Sequence, residues 1–100
     1  MHYLLIYELS PDYLARRGEF RKAHLDLAWE AADRGEIVLG GAVGDPAEGA
    51  ILLFKADSPK PAKAFAKADP YVKNGLVRSW RVVQWSTAVG ETAAVPLRLP

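Results

Sequence analysis

Arg17, Arg21 and His24 are the first residues of this 100-residue chain whose types and spacing could do chemistry. Separations of three, four and seven residues stack them as one stripe on a helix. On a wheel of about 100° per residue they fall inside an arc otherwise made by Leu14, Phe20, Leu25, Leu27, Ala28, Ala31 and Ala32, while Lys22, Asp26, Glu30 and Asp33 take the opposite side. Charges within an apolar arc must be paired or hydrated, so the stripe predicts a cleft. The simpler alternative is a satisfied core histidine, with two arginines extending along their stems to water. Asp69 is the second candidate. In Asp69-Pro70-Tyr71-Val72, with Gly75 following, it has the pattern of an N-cap, a first-position proline and a terminating glycine around one helical turn. The segment entering a last strand can also approach the first helix, which would bring Asp69 to His24. A carboxylate bound to one imidazole nitrogen fixes the tautomer and raises the basicity of the other, as a general base requires.

The elements that must position these groups are legible in outline. Tyr3 to Leu9 reads as a strand ended by Ser10-Pro11-Asp12. Helical spacing then runs from about Asp12 to Arg34, with Gly35 as a stop and Gly18 as a point of possible breakage. Glu36–Val43 and Gly49–Ala56 are strand-like runs joined by Gly44-Asp45-Pro46-Ala47-Glu48, a pattern that predicts an antiparallel hairpin. Ser58 and Pro59 read as N-cap and first position of a helix that continues to about Ala68. Val77–Ser86 is the last strand, and from Thr87 onward no period is visible, which predicts a tail. The order β-α-β-β-α-β is that of a ferredoxin-like α+β fold, an antiparallel sheet with both helices on one face. Yet Leu4-Leu5-Ile6, Ile37-Val38-Leu39 and Ile51-Leu52-Leu53-Phe54 are unbroken apolar runs, typical of strands covered on both sides. Two helices cannot cover both faces, which predicts a sheet-against-sheet homodimer.

Composition excludes several classes. Thirteen basic and twelve acidic residues leave a net charge of +1, against nucleic acid as partner. No cysteine means no disulfide, thiol catalysis or cysteine-ligated metal, and the cytoplasm is the expected compartment. The apolar start, Met1 to Glu8, is too short for a signal-peptide core, and no segment reads as a membrane span. Two histidines without an acidic cluster predict no metal, and no glycine pattern predicts a phosphate loop or dinucleotide cofactor. Gly40-Gly41 would let a ligand approach the backbone or would mark a bulge. Tyr7 and Tyr71 are either pocket hydroxyls or satisfied core tyrosines, and His2 stands isolated at the terminus. Trp80 and Trp85, an odd number of residues apart, face opposite sides of their strand.

Arg21-Lys22-Ala23-His24-Leu25, Gly40-Gly41, and Ala68-Asp69-Pro70-Tyr71-Val72 with Asn74-Gly75-Leu76-Val77 together resemble the YciI-like (YCII-related) proteins over about residues 1–86. The resemblance implies a ferredoxin-like fold assembled as a dimeric α/β barrel, and an active-site pair of His24 and Asp69 with Arg21 before the histidine. Lys22 stands where many members have proline, and the Gly44–Glu48 loop is shorter than in many relatives. A relative that acts as a dehalogenating lyase on a chlorinated hydroxyquinol, and the broader likeness to muconolactone-isomerase-like enzymes, imply proton transfer on small oxygenated rings. The expectation is therefore a cofactor-independent lyase or isomerase with His24 and Asp69 catalytic and Arg21, Arg17, Tyr71 and Gly41 binding a small anionic substrate. The alternative is a dimeric module that holds a small anion without chemistry.

Overall fold

The computed structural model describes residues 1–100, and its element order is β1 (His2–Leu9), α1 (Tyr13–Asp33), β2 (Ile37–Val43), β3 (Gly49–Lys55), α2 (Lys60–Ala68), α3 (Pro70–Lys73) and β4 (Val77–Trp85). The four strands form one antiparallel sheet in the order β2-β3-β1-β4. This is the expected ferredoxin-like α+β arrangement, with a short third helix formed by the Asp-Pro segment. The central strand β1 sets the two faces by simple alternation. Tyr3, Leu5, Tyr7 and Leu9 point to the helices and are buried, joined there by Leu52 and Phe54 of β3. Phe65 and Ala66 of α2 close the core, with the Phe54 and Phe65 rings 5.7 Å apart. On the opposite face Ile51, Leu39 and Trp85 stay exposed. Trp80 packs against the core, so the two tryptophans of β4 divide as their spacing predicts.

The two main helices cover the sheet unequally. α2 packs on β1 and β4, whereas α1 meets the sheet at β2 and otherwise leans on α3. Only part of its apolar arc is packed. Around the helix at about 100° per residue, Tyr13, Phe20, Leu27 and Ala31 cluster near roughly 200°, while Arg17, Arg21, Ala28 and Ala32 lie between roughly 260° and 320°. The first group packs in or against the core. The second lines an open cleft between α1 and the β2–β3 edge of the sheet. His24, at roughly 240°, falls on the boundary between them.

Several local expectations change. α1 runs unbroken through Gly18, whose missing side chain would meet nothing within 4 Å. Leu14 and Leu25, at the edge of the arc, are exposed, and Tyr13, whose ring meets that of Tyr71 in α3 edge-on at 5.6 Å, is the buried aromatic of the first turn. Proline at position 59 precedes rather than begins α2, and Ser58 Oγ accepts from the Lys60 amide at 3.3 Å. Gly75, at φ +78°, ends α3 in the left-handed region that favours glycine. His2 is not isolated: it is buried, with Nδ1 2.6 Å from Thr87 Oγ1. Thr87 also accepts from the Ala94 amide, so the first part of the tail folds back on itself although it forms no strand or helix.

Glycine inside an exposed helical turn loses more conformational freedom on folding than alanine. Gly18→Ala is therefore expected to stabilise the protein by about 0.5–1 kcal/mol in urea titration; a loss of stability would show that α1 needs the flexibility there.

Candidate functional site

Asp69 is the C-cap of α2 and the N-cap of α3, and its side chain is fully buried. A carboxylate in that position is tolerated only with hydrogen bonds to replace its water. It accepts three. The Tyr71 amide donates to Oδ1 at 3.0 Å, the Tyr7 hydroxyl donates to Oδ2 at 2.7 Å, and His24 Nδ1 lies 2.8 Å from Oδ1. The capping and functional readings of Asp69 are thus one arrangement, since the residue that starts α3 also reaches the imidazole. A carboxylate only accepts, so His24 donates its Nδ1–H, and in the neutral ring Nε2 carries the free lone pair.

The imidazole is fixed on two further sides. Tyr71 stacks on it, ring centroids 4.0 Å apart and 11° from parallel, and the Phe65 ring meets it at 6.3 Å and 74°. His24 is 15% exposed and lines the cleft, so the orientation is held by packed groups while one edge of the ring stays accessible. Burial, then the Asp69 charge and the hydrogen bond to it, hold the Tyr7 phenol far above its ordinary value. Tyr71 is pushed up to about 12 by burial and by the adjacent Tyr13, with Arg21 pulling the other way. Both phenols are therefore neutral donors at ordinary pH.

The cleft has a volume of about 470 Å³ and mostly apolar walls. Arg17 and Arg21 open onto it, and no aspartate or glutamate does. Neither arginine makes an ion pair within the chain. Arg17 stands over the Tyr13 ring at 5.8 Å, a cation–π contact that holds the guanidinium at the rim. The Gly44–Glu48 loop takes no part in the lining. No group of three His, Cys, Asp or Glu side chains comes together to hold a metal.

The structure brings His24, Asp69, Arg17, Arg21 and Tyr71 to one place, though Tyr71 serves as a stacking platform and amide donor. Gly41 reaches the cleft rim through its backbone, and its register partner is Ile51 on the open side of the sheet. Gly40 is the glycine opposite Leu52, where an added Cβ would meet Leu52 Cγ at 3.3 Å. Sequence reasoning missed Tyr13 and Trp29. Tyr13 continues the stripe four residues before Arg17, whereas Trp29 follows Leu25, at the edge of the arc, by four.

The family model of the YCII-related domain matches residues 1–86. The chain belongs to the YCII-related family. No curated protein matches it. Among solved structures, it resembles 5-chloro-2-hydroxyhydroquinone dehydrochlorinase from Burkholderia phenoliruptrix AC1100, in complex with 2,5-dihydroxybenzoquinone, with 25% identity and a TM-score of 0.73. The match covers 88% of this chain and 96% of the dehydrochlorinase. A YCII-related domain is thus joined to a fold that holds a small oxygenated ring in that neighbour, and no helix of this chain is long and apolar enough to cross a membrane.

Removing the Tyr7 hydroxyl leaves Asp69 Oδ2 buried without its partner. Tyr7→Phe is expected to cost about 1–3 kcal/mol near neutral pH. A phenol raised in the fold contributes stability that is complete below its ordinary value of 10.0 and is lost as pH climbs beyond it. The gap between wild type and Tyr7→Phe should therefore narrow above that pH in urea titrations; a gap that widens there would contradict the assignment.

Proposed function

We propose that this protein is a cofactor-independent lyase or isomerase that moves a proton on a small oxygenated ring, with His24 as the base. The observation that carries the reading is the 2.8 Å contact between His24 Nδ1 and the buried Asp69 carboxylate, on a ring that lines an apolar cleft. With Nδ1–H committed to Asp69, Nε2 takes a proton from an acidic O–H or C–H of the substrate. The electron pair released is delocalised toward a ring oxygen, where Arg21, with Arg17, offsets the developing charge. In an isomerisation the imidazolium returns the proton to another carbon. In an elimination the pair forms a double bond as the leaving group departs with its bonding electrons, and for a chlorinated ring the sum is loss of HCl. The likeness to a dehydrochlorinase that acts on a small hydroquinone supports this class of reaction. A general base in this role is worth roughly a hundredfold to ten-thousandfold in rate.

Chloride release from 5-chloro-2-hydroxyhydroquinone and deuterium exchange into enolisable lactones are the matching assays. Wild type should be active in at least one of them, and His24→Ala and Asp69→Asn should each lower the rate by roughly a hundredfold or more. Equal rates for wild type and His24→Ala would remove the base, and a ligand bound without turnover would favour the anion-holding module instead.

The working unit in this reading is a cytoplasmic homodimer. Leu39 is 72% exposed and Trp85 47%, beside Ile51 on the same uncovered side of the sheet, and clustered exposed apolar side chains of this kind mark association sites. Packing two such faces together removes them from water, at about 25 cal/mol per Å². Sedimentation equilibrium at micromolar concentration should give twice the chain mass of 11.0 kDa, and Leu39→Lys should shift it toward monomer. A wild-type monomer under those conditions would contradict the sheet-to-sheet pairing.

A further inference from the structure

The cleft along α1 is asymmetric about His24. Both of its unpaired cations lie on the N-terminal side, Arg21 about one turn and Arg17 about 10 Å along the axis from His24. On the C-terminal side Trp29 and Ala32 lie about 7.5 and 12 Å away, facing Ile37 at the start of β2, and no charged group enters. Trp29 is 66% exposed although it lines a cavity, so its indole is an apolar wall waiting for an apolar neighbour. The cationic end is built at a cost. Arg16 and Arg17 lie near the positive end of the α1 dipole, where the only acid is the N-cap Asp12. Arg16 has Asp12 at 3.5 Å, but the two arginines that face the cleft have no carboxylate. The one buried carboxylate nearby, Asp69, is fully used by Tyr7, His24 and the Tyr71 amide.

We infer that the natural ligand is an amphiphilic anion, a ring that carries a carboxylate on the Arg17–Arg21 side of His24 and an apolar substituent on the Trp29–Ala32 side. A compact hydroquinone satisfies only the middle of such a cleft. The forked donors of two guanidiniums suit a carboxylate, which they hold by paired hydrogen bonds as well as charge. The apolar arm lies along Trp29, Ala28 and Ile37, and the two anchors together fix which ring atom faces Nε2. The inference rests on the proposed proton-transfer reading only for the identity of that atom; the order of binding does not depend on it.

Calorimetric titration of the full chain with three probes tests it: biphenyl-4-carboxylate, its neutral carboxamide, and benzoate. Biphenyl-4-carboxylate should bind at least about tenfold more tightly than the carboxamide, from the charge-assisted hydrogen bonds, and at least about tenfold more tightly than benzoate, from the buried second ring. Arg17→Gln combined with Arg21→Gln should bring the carboxylate down to the affinity of the carboxamide. Ala28→Phe, which fills the apolar side, should bring it down to that of benzoate. Equal affinities for carboxylate and carboxamide, an arginine double variant that weakens both alike, or no binding of biphenyl-4-carboxylate at millimolar concentration would each overturn the inference. His24→Ala separates this outcome from that of the proposed reaction, because it should lower turnover by roughly a hundredfold or more and leave the order of the three affinities intact. Correct binding order with no turnover of any substrate sinks the reaction and keeps the amphiphilic ligand; turnover of neutral rings as fast as carboxylated ones does the reverse.

Discussion

The rest of the site depends on one buried carboxylate. Asp69 has no exposed side-chain surface, and an ionised group so placed is tolerated only because three donors from three elements meet it. Tyr7 comes from the central strand, His24 from the long helix, and the Tyr71 amide from the first turn of α3. Each donor ties its element to the others, so the polar cluster also fixes where α1 stands relative to the sheet. Because Oδ2 is occupied by Tyr7 and Oδ1 is shared by His24 and a backbone amide, the carboxylate cannot rotate without losing a bond. The imidazole inherits that rigidity, and the Tyr71 ring stacked on it holds its plane.

The same geometry explains why the cleft exists. α1 leans on α3 and touches the sheet mainly at β2, so one side of its apolar arc is packed and the other is left open. Closing the cleft would bury Arg17 and Arg21 beside Ala28 at a cost no partner in the chain could offset. The open cleft keeps the arginines hydrated and leaves His24 where packed protein meets it. On the far side of the sheet Ile51 and Trp85 are exposed, while Leu39 of the edge strand also borders the cleft.

Much of this is written plainly in the residues. The element order follows from the change between strand and helical periods and from the Pro, Gly and Asp turns; topology leaves the approach of Asp69 to His24 open beside its capping role, and the family likeness implies the pair. Tyr7 was harder. It lies 62 positions from Asp69 in the chain, and its place on the helix-facing side of β1 with Tyr3, Leu5 and Leu9 makes it look like ordinary core until the hydroxyl's partner is known. The division of the α1 arc was hidden for a related reason. A helical wheel gives the direction of a side chain but not what stands opposite it, and here Tyr71 of α3 packs on Tyr13 while Leu14 and Leu25 stay exposed. The bond from His2 to Thr87 escaped because it joins the two ends of the sheet region, where no local pattern operates.

The hydrogen bond to Asp69 sets the tautomer of His24 and with it whether Nε2 is bare. Nitrogen NMR of the ¹⁵N-histidine-labelled protein at neutral pH reads this directly, since protonated and bare ring nitrogens resonate far apart. His24 is expected to carry its proton on Nδ1, seen as a downfield, slowly exchanging N–H that disappears in Asp69→Ala, with Nε2 unprotonated. A His24 ring protonated at Nε2 and bare at Nδ1 would overturn the assignment.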